Sequence, residues 1–333
     1  MKVVIPLAGK GTRLRPHTYA TPKPLLRVGS RPVMSYILDD LLDLGVEEAV
    51  FITGYLKEHI EDYIRTEYPA LTSHFVEQKV QDGTAGAVKL AESYIDQDLL
   101  IIFVDTLFDA DLSVVRQLPE TDAGVIWAKE VEDYQRFGVI VTDGEGYMRQ
   151  IVEKPQDPIS KLANIGLYYI RDWELLFNGI DEVLGSTLGP GGEYYLTDAF
   201  QYMIDHGARI RTLEVEGWYD CGKPETLLET NRHLLETGRA RRPDGGDRSR
   251  VHDPVRIEPG VTLSEAEVGP NVTMEEGSRV KRSRIRDVIM GRDVVVEDCD
   301  LHDCLIGDRA VLRGVRGSVS VAADSEVLGS AER

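Results

Sequence analysis

Lys2-Val-Val-Ile-Pro-Leu7 runs straight into Ala8-Gly-Lys-Gly-Thr-Arg-Leu-Arg-Pro16. After Lys2 the first stretch is apolar throughout and rich in β-branched residues, the pattern of a strand buried on both faces of a parallel sheet. Gly9 and Gly11 follow at once. They let backbone N–H groups approach an anion, as phosphate-binding turns require. Two familiar phosphate motifs do not fit. A dinucleotide fingerprint needs glycine where Leu14 stands, and a Walker loop needs a Gly-Lys-Ser/Thr ending that is absent. The turn therefore predicts a phosphate ligand held by a third route. The alternative is a tight turn with an exposed arginine.

Charge points the same way. The 38 basic and 57 acidic residues give a net charge of −19, which argues against nucleic acid and anionic membranes as partners. Yet the first carboxylate is Asp39, and Lys2, Lys10, Arg13, Arg15, Lys23, Arg27 and Arg31 all precede it. An acidic chain with a cationic opening segment is expected to hold an anion there. No apolar run approaches the ~20 residues of a membrane span. The N-terminus reads as a strand, not a secretory signal. Cys221, Cys299 and Cys304 form no CxxC pair, which predicts reduced structural thiols and a cytoplasmic location.

Outward from the first strand, residues 1–235 alternate strands and helices. Pro32–Leu44 and Lys57–Tyr68 carry helical periodicity, while Glu48–Thr53, Leu99–Val104, Val125–Ala128 and Val139–Val141 read as strands. The order predicts an α/β, Rossmann-like, mostly parallel sheet with helices on both faces and ligands at the carboxyl ends of the strands. Residues 236–254, rich in Arg, Asp, Gly and Pro, read as a solvated linker. From 255 to 333 the pattern changes again. Val255, Val261, Val268, Met274 and Val280 recur about every six residues. A five-residue element repeats at Val268–Val272, Met290–Val294 and Ile306–Ala310, each with glycine second. This predicts a parallel β-helix, in preference to a small β-sandwich, with a register slip between Met274 and Met290.

A second motif, Thr21-Pro-Lys-Pro-Leu-Leu26, places a lysine between two prolines on a stiff segment. A compact ammonium fixed in this way suits a phosphate oxygen. Together, the glycine turn ending in Thr-Arg-Leu-Arg-Pro16 and the Lys23-Pro-Leu-Leu26 run resemble the sugar-1-phosphate nucleotidylyltransferases, notably the glucose-1-phosphate thymidylyltransferases of the long form with a C-terminal left-handed β-helix. The likeness covers residues 1–235. The resemblance implies that Leu7, Ala8, Gly9, Gly11 and Thr12 wrap a nucleoside triphosphate, and that Arg13 and Lys23 are catalytic, offsetting phosphate charge during transfer.

Further motifs join this reading. Gln78-Lys-Val-Gln-Asp-Gly-Thr-Ala-Gly-Ala87 looks like the family's base-reading stretch, with Gln78 facing the base and Gly83 and Thr84 beside it. A glutamine amide offers both a donor and an acceptor; alone, Gln78 would read as a surface amide. Gln81 stands where many thymidylyltransferases have proline, and the Gly-Thr-Ala-Gly run also occurs in guanylyltransferases, so a purine stays open. Asp105 follows a buried strand, where a carboxylate is costly unless paired. Bound Mg2+ would stabilise it. In the family's Trp-x-Asp-x-Gly pattern, Asp220 becomes the second metal carboxylate. Val104 replaces the glycine usual before Asp105. Gly138, Glu153, Lys154 and Asn164 match positions that line the sugar-phosphate pocket. Glu193 and Asp198 match the family pattern without a clear role.

The expected reaction is attack by a sugar-phosphate oxygen on the α-phosphorus, with glucose 1-phosphate and dTTP or UTP favoured over mannose 1-phosphate and GTP. One rival is a sugar-phosphate-sensing relative that has lost its catalytic residues, but Arg13, Lys23, Asp105 and Asp220 are all present. A glycosyltransferase would use Asp109-Ala-Asp111 as its metal motif, whereas these residues read as a cap or loop lining. Acyl transfer by the tail would need His252 or His302, which read as surface residues. A homo-oligomer is expected, with the tail as its structural or assembling part.

Overall fold

The computed structural model describes residues 1–189, 191–242 and 249–329. The chain folds as two compact units. One comprises residues 1–9 and 37–218, the other residues 10–36 and those from 219 onward.

The first unit is built on a nine-stranded sheet. In chain order its elements are β1 (Lys2–Pro6), α1 (Val33–Asp43), β2 (Glu48–Thr53), α2 (Lys57–Glu67), β3 (Thr72–Glu77), α3 (Thr84–Lys89), β4 (Leu99–Ile102), β5 (Gly124–Glu130), β6 (Gly138–Thr142), β7 (Met148–Glu153), β8 (Leu162–Ile170), α4 (Trp173–Leu184), α5 (Leu196–Asp205) and β9 (Ile210–Glu214). The strand order is β7-β6-β8-β4-β1-β2-β3, with β5 also paired to β8 and β9 to β5. The run β3-β2-β1-β4 is parallel. The chain leaves β1 towards β2 on one side and returns to β4 on the other, so a topological switch point lies between β1 and β4.

Val4, Leu99 and Ile101 pack with Val88 of α3, Phe177 and Ile180 of α4, and Phe200 of α5. Val3, Ile5, Leu100 and Ile102 point to the opposite face and are also fully buried. Two buried faces explain why β1 and β4 show no polar alternation.

The expectation of a mostly parallel sheet needs correction beyond β4. There β8 runs antiparallel to β4, β5 and β6, and β7 antiparallel to β6. Residues 143–147 join β6 to β7, and the Asp143 carboxylate accepts from the backbone N–H of Glu145 and Tyr147. So short a turn can only return the chain antiparallel. The third expected strand also ends early, at Ile102 instead of Val104.

In the second unit, α6 (Pro224–Leu234) is followed by a stack of short strands. Val255–Ile257 and Val272–Met274 stack in parallel on residues 288–290 and 304–306. A second ladder runs through Thr262–Ser264, Arg279–Lys281, Val295–Glu297, Val311–Arg313 and Glu326–Leu328. A third begins at Arg250–Val251 and passes through Glu267–Val268. Val255, Val272, Val288 and Cys304 stack inward, as do Val268, Ile285 and Leu301, and all are buried. Each pairing in these ladders is parallel, which excludes the small β-sandwich.

Two details differ from expectation. Met274 and Met290 are in register; the slip lies between Val268, which aligns with Ile285, and Val272, which aligns with Val288. The 236–254 stretch is also partly structured. Leu235 and Glu236 prolong the helix, which breaks at Thr237 and Gly238; Arg241 bridges to Arg256, and Arg250–Val251 already pairs in the third ladder. Residues 243–248 of that stretch and the final residues 330–333 lie outside the described residues. Among the described residues, no helix is long and apolar enough to cross a membrane. Cys221, Cys299 and Cys304 are buried and form no disulfide among the described residues.

Candidate active site

In the first unit, residues 7–9, Gln78 and Asp105 follow the carboxyl ends of the parallel strands β1, β3 and β4, whereas Gly138, Glu153 and Asn164 lie on the antiparallel strands β6, β7 and β8. The N–H of Leu7 still donates to Ile52 O at 2.7 Å, so the turn leaves the sheet at Ala8. Ala8 O accepts from Gln81 Nε2 at 2.6 Å. A Cβ on Gly9 would meet nothing within 4 Å. The fold's own packing gives this position no reason to be glycine. Asp105 follows β4, the strand beside β1, across the switch point.

Gln78 extends β3 and is only 8% exposed, so it is not a surface amide. Its Nε2 donates to Asp82 Oδ1 at 3.1 Å and Gly83 O at 3.2 Å. Both partners accept only, which fixes the amide orientation and leaves Oε1 as the group it can offer a ligand. Gly83 has φ +120, and a Cβ there would overlap the Tyr194 backbone. The segment is pinned on both sides. Tyr194 N donates to Asp82 O and Ala85 N to Tyr194 O, while Leu196 N donates to Thr84 Oγ1 at 2.9 Å.

Around Gly138, three side chains converge. A Cβ there would overlap Asn164 Nδ2 and lie 2.8 Å from Glu153 Oε2 and 2.9 Å from Thr197 Cγ2. Asn164 Nδ2 donates to Gly138 O at 3.0 Å, and its Oδ1 accepts from the Tyr168 hydroxyl. Thr197 donates to Glu153 Oε2 at 3.3 Å. Burial pushes the Glu153 carboxyl above its ordinary pKa, against the opposing pull of Lys154 and Thr197. Tyr168 is pushed far up by complete burial and by the nearby charges of Glu153 and Asp105.

Lys154 has φ +47, in the left-handed region where non-glycine residues are uncommon. Its ammonium donates to the Tyr195 hydroxyl at 3.1 Å, lies 3.6 Å from Glu153 Oε1, and sits 4.7 Å from the Tyr195 ring centroid. Burial alone would lower its pKa. The Tyr195 hydrogen bond and the charges of Glu153 and Glu193 outweigh that and raise it, so Lys154 stays cationic.

The second unit assembles a separate group. Gly11 adopts φ +59, and a Cβ there would crowd Lys23 Cβ and Thr18 Cγ2 at 3.1 Å. Its carbonyl accepts from Thr18 Oγ1 at 2.9 Å, and Leu14 anchors the Thr12–Leu14 turn from the core. Lys23 opens its own 3-10 turn after Pro22, closed by Leu26 N donating to Lys23 O. Arg13 and Lys23 meet beside Gly222. A Cβ there would lie 2.7 Å from Asp220 Oδ1, 3.2 Å from Arg13 NH2 and 3.5 Å from Lys23 Nζ. Asp220 is held in place: Oδ1 accepts from Gly222 N at 2.7 Å and Oδ2 from Thr226 Oγ1 at 3.2 Å.

Some residues here were not singled out from the sequence. Thr197 and Tyr195 are recruited across long stretches of chain, and Thr226 acts from one turn into α6. No spacing rule marks them. Asp111 accepts from Ser113 N at 2.8 Å and caps a turn, as expected. His252 and His302 are partly exposed and lie beside Glu267 and Asp303. Among the described residues, no three His, Cys, Asp or Glu side chains gather as a metal cluster.

The chain belongs to the nucleotidyl transferase family, whose model matches residues 2–237. It is 34% identical to the UTP–glucose-1-phosphate uridylyltransferase AglF of Haloferax volcanii, over 71% of this chain and 97% of that protein. It is 29% identical to a glucose-1-phosphate thymidylyltransferase of Streptomyces griseus, over 95% of this chain and 90% of the relative. The bifunctional protein GlmU of Methanocaldococcus jannaschii is 35% identical over 71% of this chain, which spans only 55% of that protein. A crystal structure of UDP-glucose pyrophosphorylase complexed with UDP-glucose superposes with a TM-score of 0.63 and 26% identity, over 71% of this chain and 98% of the other.

Proposed function

We infer that the chain is a sugar-1-phosphate nucleotidyltransferase, joining glucose 1-phosphate to the nucleotidyl group of dTTP or UTP and releasing pyrophosphate. The observation that carries this reading is the meeting of Arg13, Lys23 and the braced Asp220 carboxylate around the bare Cα of Gly222. Two cations converging beside one glycine suit a phosphate chain. The choice of base rests on Gln78. With its NH2 engaged, it presents Oε1, an acceptor matched to the N3–H of thymine or uracil. The named substrates of the Haloferax and Streptomyces relatives support glucose 1-phosphate.

In the proposed reaction, an oxygen of the sugar phosphate forms a bond to the α-phosphorus as the bond to the β-phosphate oxygen breaks. Pyrophosphate carries away the electron pair, and no proton need move. The phosphate monoester is already largely ionised near neutral pH. The residues therefore act by alignment and charge. Arg13 and Lys23 offset charge on the triphosphate, and backbone N–H groups from Ala8 to Thr12 wrap it. Lys154 meets the sugar phosphate. Glu153 and Asn164 meet sugar hydroxyls beside Gly138.

Family members use a divalent metal, here assigned as Mg2+, held by Asp105 and Asp220. Asp220 fits: each oxygen makes a single hydrogen bond to Gly222 or Thr226 and keeps lone-pair capacity. Mg2+ at nucleotide sites takes one or two carboxylates plus phosphate oxygens and water, so a three-acid cluster is not required. When bound, it supplies further charge compensation on the phosphates. Normal activity of Asp220→Asn at low magnesium would exclude this assignment.

By function, residues 1–235 form the catalytic domain, 236–254 the linker and 255–333 a left-handed parallel β-helix that assembles copies of the chain. Reduced thiols and soluble substrates fit the cytoplasm. A matrix of dTTP, UTP and GTP against glucose and mannose 1-phosphates, read by released pyrophosphate, tests the reading. The highest kcat/KM is expected for glucose 1-phosphate with a pyrimidine nucleotide; preference for GTP with mannose 1-phosphate would overturn the assignment.

A further inference from the structure

One side chain beside the candidate nucleotide site has no part in the steps above. Gln81 lies between Gln78 and Gly83, and its Nε2 donates to Ala8 O at 2.6 Å, across 73 positions of chain. Gln81 is exposed, so burial does not hold its amide there. The bland reading is a surface amide resting on a nearby carbonyl.

The identity of the acceptor argues for more. Ala8 O belongs to the peptide group that also carries the Gly9 N–H. That peptide is trans, so its C=O and N–H lie in one plane and point to opposite sides. A donor fixed on the oxygen therefore turns the Gly9 N–H away from Gln81. Among the described residues no acceptor meets that N–H. Gly9 is exposed, and a Cβ there would meet nothing within 4 Å. An unengaged donor facing open space is what an incoming phosphate oxygen requires.

Room has been made for the carbonyl on another flank. A Cβ on Gly54, just beyond β2, would stand 2.9 Å from both Ala8 Cβ and Ala8 O. The φ of Gly54 is not positive, so glycine serves the close approach of Ala8 there and not a left-handed turn. The residue next to Gln81 does parallel work. Asp82 Oδ1 accepts from Gln78 Nε2 at 3.1 Å, and its carboxylate fills the space that a Gly86 side chain would need. Adjacent residues thus set two parts of the site, Asp82 the Gln78 amide and Gln81 the Ala8–Gly9 peptide.

We propose that Gln81 is a positioning residue for the phosphate turn: by holding Ala8 O, it aims the Gly9 N–H at the nucleotide's phosphates. It touches no reacting atom. A turn set in this way raises affinity, because less ordering is charged against binding. The effect on nucleotide rests on the phosphate role given to this turn above; the setting of the peptide does not.

The test is Gln81→Met, close in length and without an N–H to donate. In the full chain labelled on glycine nitrogen and free of nucleotide, the Gly9 amide resonance is identified by its loss in Gly9→Ala. It should move in Gln81→Met, and an unmoved resonance overturns the proposal whatever the protein binds. Calorimetric titration with UTP or dTTP, whichever the wild-type chain binds more tightly, reads the consequence. Gln81→Met should weaken binding roughly threefold to tenfold, the scale of one neutral hydrogen bond, with its thermal midpoint unchanged. Both substitutions act on one peptide, so the double variant Gly9→Ala/Gln81→Met should lose less affinity than the product of the two single losses. Wild-type affinity in Gln81→Met, or losses that multiply in full, overturns the role. A wild-type chain that binds neither nucleotide overturns the nucleotide site and this role with it. A Gly9 resonance that still moves tells that failure apart from a failure of Gln81.

Discussion

Gly9 and Gly83 serve opposite needs. Gly83 sits at φ +120 with the Tyr194 backbone where a side chain would go. Gly83→Ala should destabilise the protein by about 3 kcal/mol or more, from backbone strain and overlap together, read by thermal or denaturant unfolding. Gly9 faces open space, so Gly9→Ala should change stability by no more than about 0.5 kcal/mol. Its turnover should fall roughly tenfold or more, because a methyl group then stands where the triphosphate approaches the backbone. A Gly9→Ala enzyme with full activity would remove this turn from the phosphate site. Glu153 makes a pH prediction. Burial raises its pKa in the folded state, so the folded chain holds that proton more tightly than the unfolded chain. Wild-type stability therefore falls as pH rises from the ordinary glutamate value through the raised one. Glu153→Gln lacks this loss. It should be the more stable protein at neutral pH, with the difference vanishing below the ordinary value, while its activity drops. Unfolding curves from pH 4 to 8 check the sign.

At the level of elements, the sequence was most informative where burial is symmetric. The strands β1, β2 and β4 are near-continuous apolar runs because both their faces are covered, and their shortness and β-branched content separate them from a buried helix segment. Strand direction was not legible. Val125–Ala128 and Val139–Val141 read as strands, but apolar content does not say whether the next strand returns by a helix or by the five residues 143–147. The sugar pocket shows the same limit. Gly138, Glu153 and Asn164 were named only through a family pattern, while Thr197 and Tyr195, from the loop before α5 and its first turn, could not be. Their roles come from a fold that brings residues some 40 positions apart into contact. Helix ends are more local. Asp172 Oδ1 accepts from Leu175 N at 3.2 Å at the start of α4, and Asp172→Ala should lower stability by about 1 kcal/mol. An unchanged unfolding midpoint would show that this cap contributes nothing.

On the scale of the whole molecule, the chain's divisions by sequence and by packing do not coincide. The opening cationic segment, residues 10–36, belongs to the same compact unit as the stacked parallel strands. Asn231 Oδ1 accepts from both Gly29 N and Thr273 Oγ1, and Arg27 pairs with Glu275. The stacked strands thus support the segment that carries Arg13 and Lys23, a connection that composition and repeats alone did not reveal. Removal of residues 236–333 should lower pyrophosphate release roughly tenfold or more, the scale of catalytic groups displaced from their setting. If copies assemble through this region, as proposed, sedimentation should also show fewer chains per particle. A truncated chain of wild-type activity would show that these strands contribute nothing to the setting of Arg13 and Lys23.

The central claim is that Arg13 and Lys23 hold a nucleotide's phosphates for transfer to a sugar 1-phosphate. Its most direct measurement is pyrophosphate release from dTTP or UTP with glucose 1-phosphate and Mg2+, comparing the wild-type chain with Lys23→Ala. Release that depends on the sugar phosphate, and falls on the order of 10²-fold in the variant with its fold intact, is the predicted result. Absence of sugar-dependent release in the wild type, or equal turnover in a folded Lys23→Ala, would contradict it.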